Sequence, residues 1–151
     1  MNQNHKLYIT KNLISVKKNE KKIGRFEKII FPEFDNFEAN GKVDTGAFSM
    51  ALHVDSLKLI NDKLVFNLNN REFVYTKFKM VSVKNSFGKI QKRFSIFTKM
   101  KLGHKTYKFH VSLTDRKNMK FPLLIGRRFL YKFNYIVDVR KKNIYDTPQK
   151  V

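Results

Sequence analysis

Asp44, Thr45 and Gly46 stand in a row after the extended-looking segment Phe37–Val43, and Ala47 leads into a second apolar segment. A tight turn on Gly46 would put the Asp44 carboxylate at its tip with backbone N–H groups aimed at its oxygens. The Thr45 hydroxyl would fix that turn. A carboxylate held this way can activate water. The triplet occurs once in the chain; Asp115, Asp138 and Asp146 are not followed by Thr-Gly or Ser-Gly. Two carboxylates sharing one proton are needed if one is to act as base toward water while the other donates to a carbonyl oxygen. A twofold homodimer would supply the second Asp44 on its axis.

The elements that must carry this turn read as β. Arg25–Phe31 ends at Pro32, which has no N–H for a ladder, and Phe37–Val43 follows as the second strand. Ser49–Leu59 alternates imperfectly. Lys63–Leu68 lies between turns at Asn61-Asp62 and Asn69-Asn70. Phe73–Val83 reads as one long strand that turns through Asn85–Gly88 into Ile90–Thr98, a hairpin able to cover a cleft, with Ser86, Phe87 and Gly88 at its tip. Lys99–Leu113 alternates through a turn at Gly103-His104 and is the clearest antiparallel signal. Phe121–Gly126 reads as a buried strand, Arg127–Lys132 as one short helix, and Tyr135–Val139 and Asn143–Tyr145 as closing strands. The fold class expected is all-β, a closed or folded-over barrel with one short helix near the C-terminus.

At 18.0 kDa with 42% apolar residues the chain suits one domain with a real core. Residues 1–22, rich in lysine, read as a basic, partly disordered arm, and 23–147 as the folded domain. Absence of cysteine excludes disulfides, thiolate metal sites and a cysteine nucleophile. No stretch suits a signal-peptide core or a membrane span, so the expectation is a cytoplasmic protein without membrane contact. A net charge of +20 concentrates polyanions, making nucleic acid, ribosomes or acidic peptides candidate partners. The same charge also follows from a composition rich in Lys, Asn, Ile and Phe with solvated lysines on every face.

With the DTGA turn, a flap-like hairpin and a late Leu124-Ile125-Gly126-Arg127, the chain resembles the retropepsins. It is more similar still to their bacterial retropepsin-like relatives, known under the label "ATP-dependent zinc protease". The segments that carry the resemblance are Lys42–Ala47, Ala51-Leu52-His53, Leu102-Gly103, Leu113–Met119 and Leu124–Arg127. It implies a retropepsin-like acid-protease barrel and a homodimeric aspartic endopeptidase, with Asp44 of each subunit in the dyad and Thr45 bonding across the axis. Gly46 would present backbone to a peptide or protein substrate and Ala47 pack beneath. Gly126 and Arg127 would brace the catalytic loop, and the C-terminal strand help join the subunits. The bacterial group is linked to a ligase that adds glutamate tails to a ribosomal protein, which suits an acidic substrate for a chain of this charge.

Neither zinc nor ATP finds ligands in the sequence: there is no His-Glu-x-x-His, no Gly-x-x-x-x-Gly-Lys-Ser/Thr loop, and His5, His53, His104 and His110 lack ligand spacing. No cofactor or metal is expected. Where the bacterial group has Arg after DTGA and viral retropepsins have Asp, this chain has Phe48, then Ser49. That predicts a more apolar subsite or weakened activity. Arg127, read as lying near the core, then needs another carboxylate, and Asp115 is the candidate. The alternative in a different class is a non-catalytic basic β-barrel that binds RNA or ribosomes, in which Asp44 would be dispensable.

Overall fold

In the computed structural model, which describes residues 20–85 and 87–145, twelve strands carry most of the described residues. They are β1 (Lys21–Ile23), β2 (Phe26–Phe31), β3 (Phe37–Val43), β4 (Met50–His53), β5 (Ser56–Ile60), β6 (Lys63–Leu68), β7 (Arg71–Tyr75), β8 (Lys79–Lys84), β9 (Ile90–Leu102), β10 (Lys105–Thr114), β11 (Leu123–Ile125) and β12 (Tyr135–Val137). A 3-10 turn spans Pro32–Phe34, and the one α-helix, α1, is Arg127–Lys132. Among the described residues, no helix is long and apolar enough to cross a membrane.

Six strands close into a barrel in the order β10-β4-β11-β3-β2-β9, with β9 pairing back antiparallel onto β10. Closure removes free edges. Side-chain alternation follows the pleat: Ile29 and Phe31 of β2, Ile96, Met100 and Leu102 of β9, and Val111 and Leu113 of β10 are buried, while Phe97, Lys99 and Lys101 of β9 are exposed; Ser95 and Ser112 are buried as well. β5, β6 and β7 form a separate antiparallel sheet. Its Phe66, Phe73 and Tyr75 gather around Phe34, at centroid distances of 5.5, 5.2 and 6.1 Å. Helix α1 buries Phe129 and Leu130, with Phe129 set edge-on to Tyr107 and Phe109.

Three details depart from the sequence reading. The stretch expected as one strand, Phe73–Val83, breaks at 76–78, so β7 joins the small sheet and β8 pairs with β9. Lys21 and Lys22, placed in the arm, belong to β1, which runs parallel to β12 and pairs with Tyr135 and Ile136. Residues 1–19 of that arm lie outside the described residues. Asn143–Tyr145 is not a strand: Glu27, 1% exposed, accepts the backbone N–H groups of Ile144 (3.3 Å) and Tyr145 (3.2 Å) besides that of Gly24 (2.8 Å). A side chain therefore meets the backbone donors that a ladder would otherwise have taken.

One feature of the topology positions the site. β11 lies between β3 and β4, parallel to the first and antiparallel to the second. The 44–49 loop joining β3 to β4 must therefore cross the end of β11. Gly41 makes room there, since a β-carbon on it would stand 2.9 Å from Ile125 Cδ1.

Candidate active site

The turn after β3 is held by the strand beside it. The Asp44 N–H donates to the Ile125 carbonyl (2.9 Å), extending the β3–β11 ladder by one rung, and the Ala47 N–H donates back to the Asp44 carbonyl (3.2 Å). The Gly46 N–H donates to Asp44 Oδ1 at 2.9 Å, so a backbone dipole fixes the carboxylate's direction. A side chain at 46 would crowd that oxygen, because a β-carbon there would lie 3.1 Å from it.

The other end of the loop is clamped onto α1. Arg127 and Arg128 donate their backbone N–H groups to the carbonyls of Ala47 (2.8 Å) and Phe48 (3.1 Å), satisfying donors that a helix start leaves open. Gly126 lies against Ser49 too closely for any side chain. The Arg127 guanidinium reaches back to the carbonyls of Gly46 (3.1 Å) and Thr45 (3.4 Å). Phe48, 58% exposed, lies 5.3 and 5.2 Å from the guanidinium carbons of Arg127 and Arg128. Its ring face attracts both cations.

Arg127 therefore does not pair with Asp115. It is exposed, so no desolvation has to be offset, and its donors are taken by carbonyls. Asp115 instead accepts the Lys117 N–H (3.1 Å) and faces His53 Nδ1 at 3.7 Å. His53 Nδ1 accepts the Arg116 N–H at 2.8 Å, and Nε2 lies 3.0 Å from Asp55 Oδ1. This imidazole ties β4 to the 115–118 loop.

A cleft of about 1120 Å³ opens on the turn, walled on the far side by the β8–β9 hairpin. Asp44, Gly46, Ala47, Phe48, Ser49 and Arg127 line it, but Phe87 and Gly88 do not. They fold into a turn organised by the Asn85 side chain, which accepts the N–H groups of Phe87 (3.0 Å) and Lys89 (2.9 Å), leaving Phe87 89% exposed. The hairpin meets the cleft through Val81–Asn85 instead; Ser86 lies outside the described residues.

The sequence reading missed the cations in the walls. Asp44 is the one carboxylate lining the cleft among the described residues, against Lys79, Lys84, Arg93, Arg116, Arg127 and Arg128. Burial pulls the Arg93 and Arg116 guanidiniums below their ordinary range. Arg93 pulls Arg116 further while Asp44 opposes the shift. His110 is drawn down by burial and then by Lys79, Arg128 and Lys132, which favours its neutral form. Period-two alternation would have put Arg93 on one face with Ser95, but not which face the hairpin covers.

Comparison with known proteins agrees with this geometry. The family described as "Retropepsin-like aspartic endopeptidase RimB" matches residues 22–148. A probable alpha-L-glutamate ligase of Desulfotalea psychrophila is 27% identical over 120 residues, which are 72% of this chain and 26% of that protein; the chain thus spans about a quarter of that relative's length. The crystal structure of a Legionella pneumophila protein of unknown function, from the group DUF785, aligns at a TM-score of 0.65 and 29% identity, over 82% of this chain and 97% of that one.

Proposed function

Since the chain belongs to the RimB-like family of retropepsin-like aspartic endopeptidases, we propose that it hydrolyses peptide bonds as a twofold homodimer in which the two Asp44 carboxylates share one proton. The observation that carries the reading is the Asp44 turn itself: a carboxylate fixed by the Gly46 N–H, at the mouth of a cleft with a hairpin for its far wall. Thr45 and Gly46 are exposed, as groups meeting a twin across an axis must be in one subunit. The exposed Phe48 ring gives the partner an apolar surface to cover.

In the dyad, one ionised Asp44 takes a proton from water as the oxygen attacks the scissile carbonyl. The protonated Asp44 donates to the carbonyl oxygen, and the tetrahedral intermediate collapses with proton return to the leaving amine. Each subunit's own residues hold its acid still: Ile125 by its carbonyl, Gly46 by its N–H, and Arg127 by its bonds to the turn's carbonyls.

The substrate side of the proposal is an acidic protein, with a glutamate-tailed, ribosome-associated protein as its specific form. Six cations around a single carboxylate suit such a substrate by attraction. The glutamate-ligase name of one relative, itself said only of that protein, points to the same chemistry.

The test is cleavage of a peptide library and of a glutamate-tailed protein by the purified chain and its Asp44→Asn variant. Loss of cleavage with the dimer retained is expected, together with a rate that falls on both sides of a pH optimum. Undiminished cleavage by the variant, or a flat profile from acid to neutral pH, would remove the mechanism.

A further inference from the structure

We propose that Arg93 and Arg116 are specificity-determining residues, which together receive a substrate side-chain carboxylate seated beside Asp44. The proposal rests on the endopeptidase reading above and names which of the cleft's cations do the selecting. Lys79 and Lys84 are exposed on the hairpin and contribute a diffuse field, Arg127 is exposed with its Nη1 on the turn, and Arg128 is exposed beside the Phe48 ring. Arg93 and Arg116 differ from all four in being partly buried.

Both are half-buried in the cleft wall, and the Arg93 charge acts on Arg116. They come from neighbouring strands: Arg93 precedes Phe94, which is paired with Leu113, and Arg116 follows just beyond the end of β10. Their donors are little used. Arg93 reaches the Gln91 side-chain oxygen (3.3 and 3.1 Å), Arg116 Nε donates to the Phe121 carbonyl at 3.4 Å, and neither forms an ion pair with a carboxylate among the described residues. A guanidinium carries five N–H donors in a planar fork matched to a carboxylate. Two such forks, repelling each other and partly stripped of water, gain most from an anion placed between them.

The Arg116 backbone is held in position, and its Nε reaches the Phe121 carbonyl. Its backbone N–H is taken by His53 Nδ1, so the ring proton sits on Nε2 and points to Asp55. Asp44 and both arginines line the same cleft, and the Asp44 charge acts on Arg116, so a side chain held by the two guanidiniums lies in the cleft that holds the reacting carboxylate.

Binding of fluorescein-labelled hexaglutamate, followed by anisotropy in the full-length Asp44→Asn chain, tests this without needing turnover. Arg93→Gln and Arg116→Gln are each expected to weaken it by about tenfold or more. Lys99→Gln, on the exposed face of β9 outside the cleft, should change it less than about twofold. Arg116→Lys should recover part of the loss, and labelled hexaglutamine should bind none of these proteins comparably. Similar losses for Lys99→Gln and the arginine variants would overturn the proposal, because they would mean a diffuse field; so would unchanged binding in Arg93→Gln, a variant that disturbs only a contact to Gln91. Arginine-dependent binding in the Asp44→Asn chain, together with no cleavage by the unsubstituted chain, would leave this site standing and defeat the endopeptidase reading alone.

Discussion

A β-carbon on Gly126 would stand 2.5 Å from the backbone oxygen of Ser49 and 2.7 Å from its carbon. Backbone cannot yield as the tip of a flexible side chain can, so the close packing of these two residues sets how near α1 comes to the acid turn. Gly126→Ala is expected to lower stability by about 1–3 kcal/mol and to displace Asp44 enough to remove activity. Thermal unfolding and peptide hydrolysis check the two effects separately.

Arg127→Ala takes away the guanidinium bonds to Thr45 and Gly46 and one cation from the Phe48 ring. The side chain is exposed, so the stability cost should stay within about 1 kcal/mol. Activity should fall by a larger factor, because the turn loses its lateral support. Arg127→Lys should restore part of it, since both bonds to the turn come from the one nitrogen Nη1, which an ammonium of suitable reach can replace. Equal activity in all three proteins would show that the bonds to the turn are idle.

Replacing Glu27 by Gln keeps the shape of a buried side chain but turns an N–H₂ toward backbone donors that now meet a carboxylate. Gly24, Ile144 and Tyr145 cannot all find acceptors. A loss of about 2 kcal/mol or more follows from stranding charge-assisted bonds. Denaturant titration measures it. Faster proteolysis near Tyr145 should accompany it, because Glu27 holds the Ile144 and Tyr145 N–H groups against β2.

Asp138 provides a pH signature. Side-chain and backbone hydrogen bonds from Arg140 hold its carboxyl down to about 2, against an ordinary 3.8. A depressed folded value means stability that is fully present above about 4 and lost as pH falls through about 2. Arg140→Ala should therefore lower the melting temperature at pH 5 and 7 by the same amount, with the gap closing between pH 4 and 2. A gap that widens on acidification would contradict the assignment.

The sequence made legible whatever depends on local chemistry. Period-two alternation marked the end of β9 and β10 across 99–113, Pro32 ended β2, and the Asp44-Thr45-Gly46 order located the acid turn. What it hid depends on which distant segments meet. Nothing local in Phe73–Val83 says that the chain changes sheets at 76–78, because both halves alternate alike. Asp115 was expected on Arg127 from proximity along the chain to β11; in the fold His53 stands beside it, and Arg127 is in water with carbonyls in reach. Arg93 and Arg116 looked like two of many solvated cations until the β8–β9 hairpin covered them.

The rung between Asp44 and Ile125 has one more implication, which concerns timing during synthesis. The strand whose carbonyl takes the Asp44 N–H is made well after the acid itself, so until β11 emerges a nascent chain has only the local Gly46 N–H to aim Asp44. Fragments that stop before β11 would leave the acid turn without its rung however well their hairpins form.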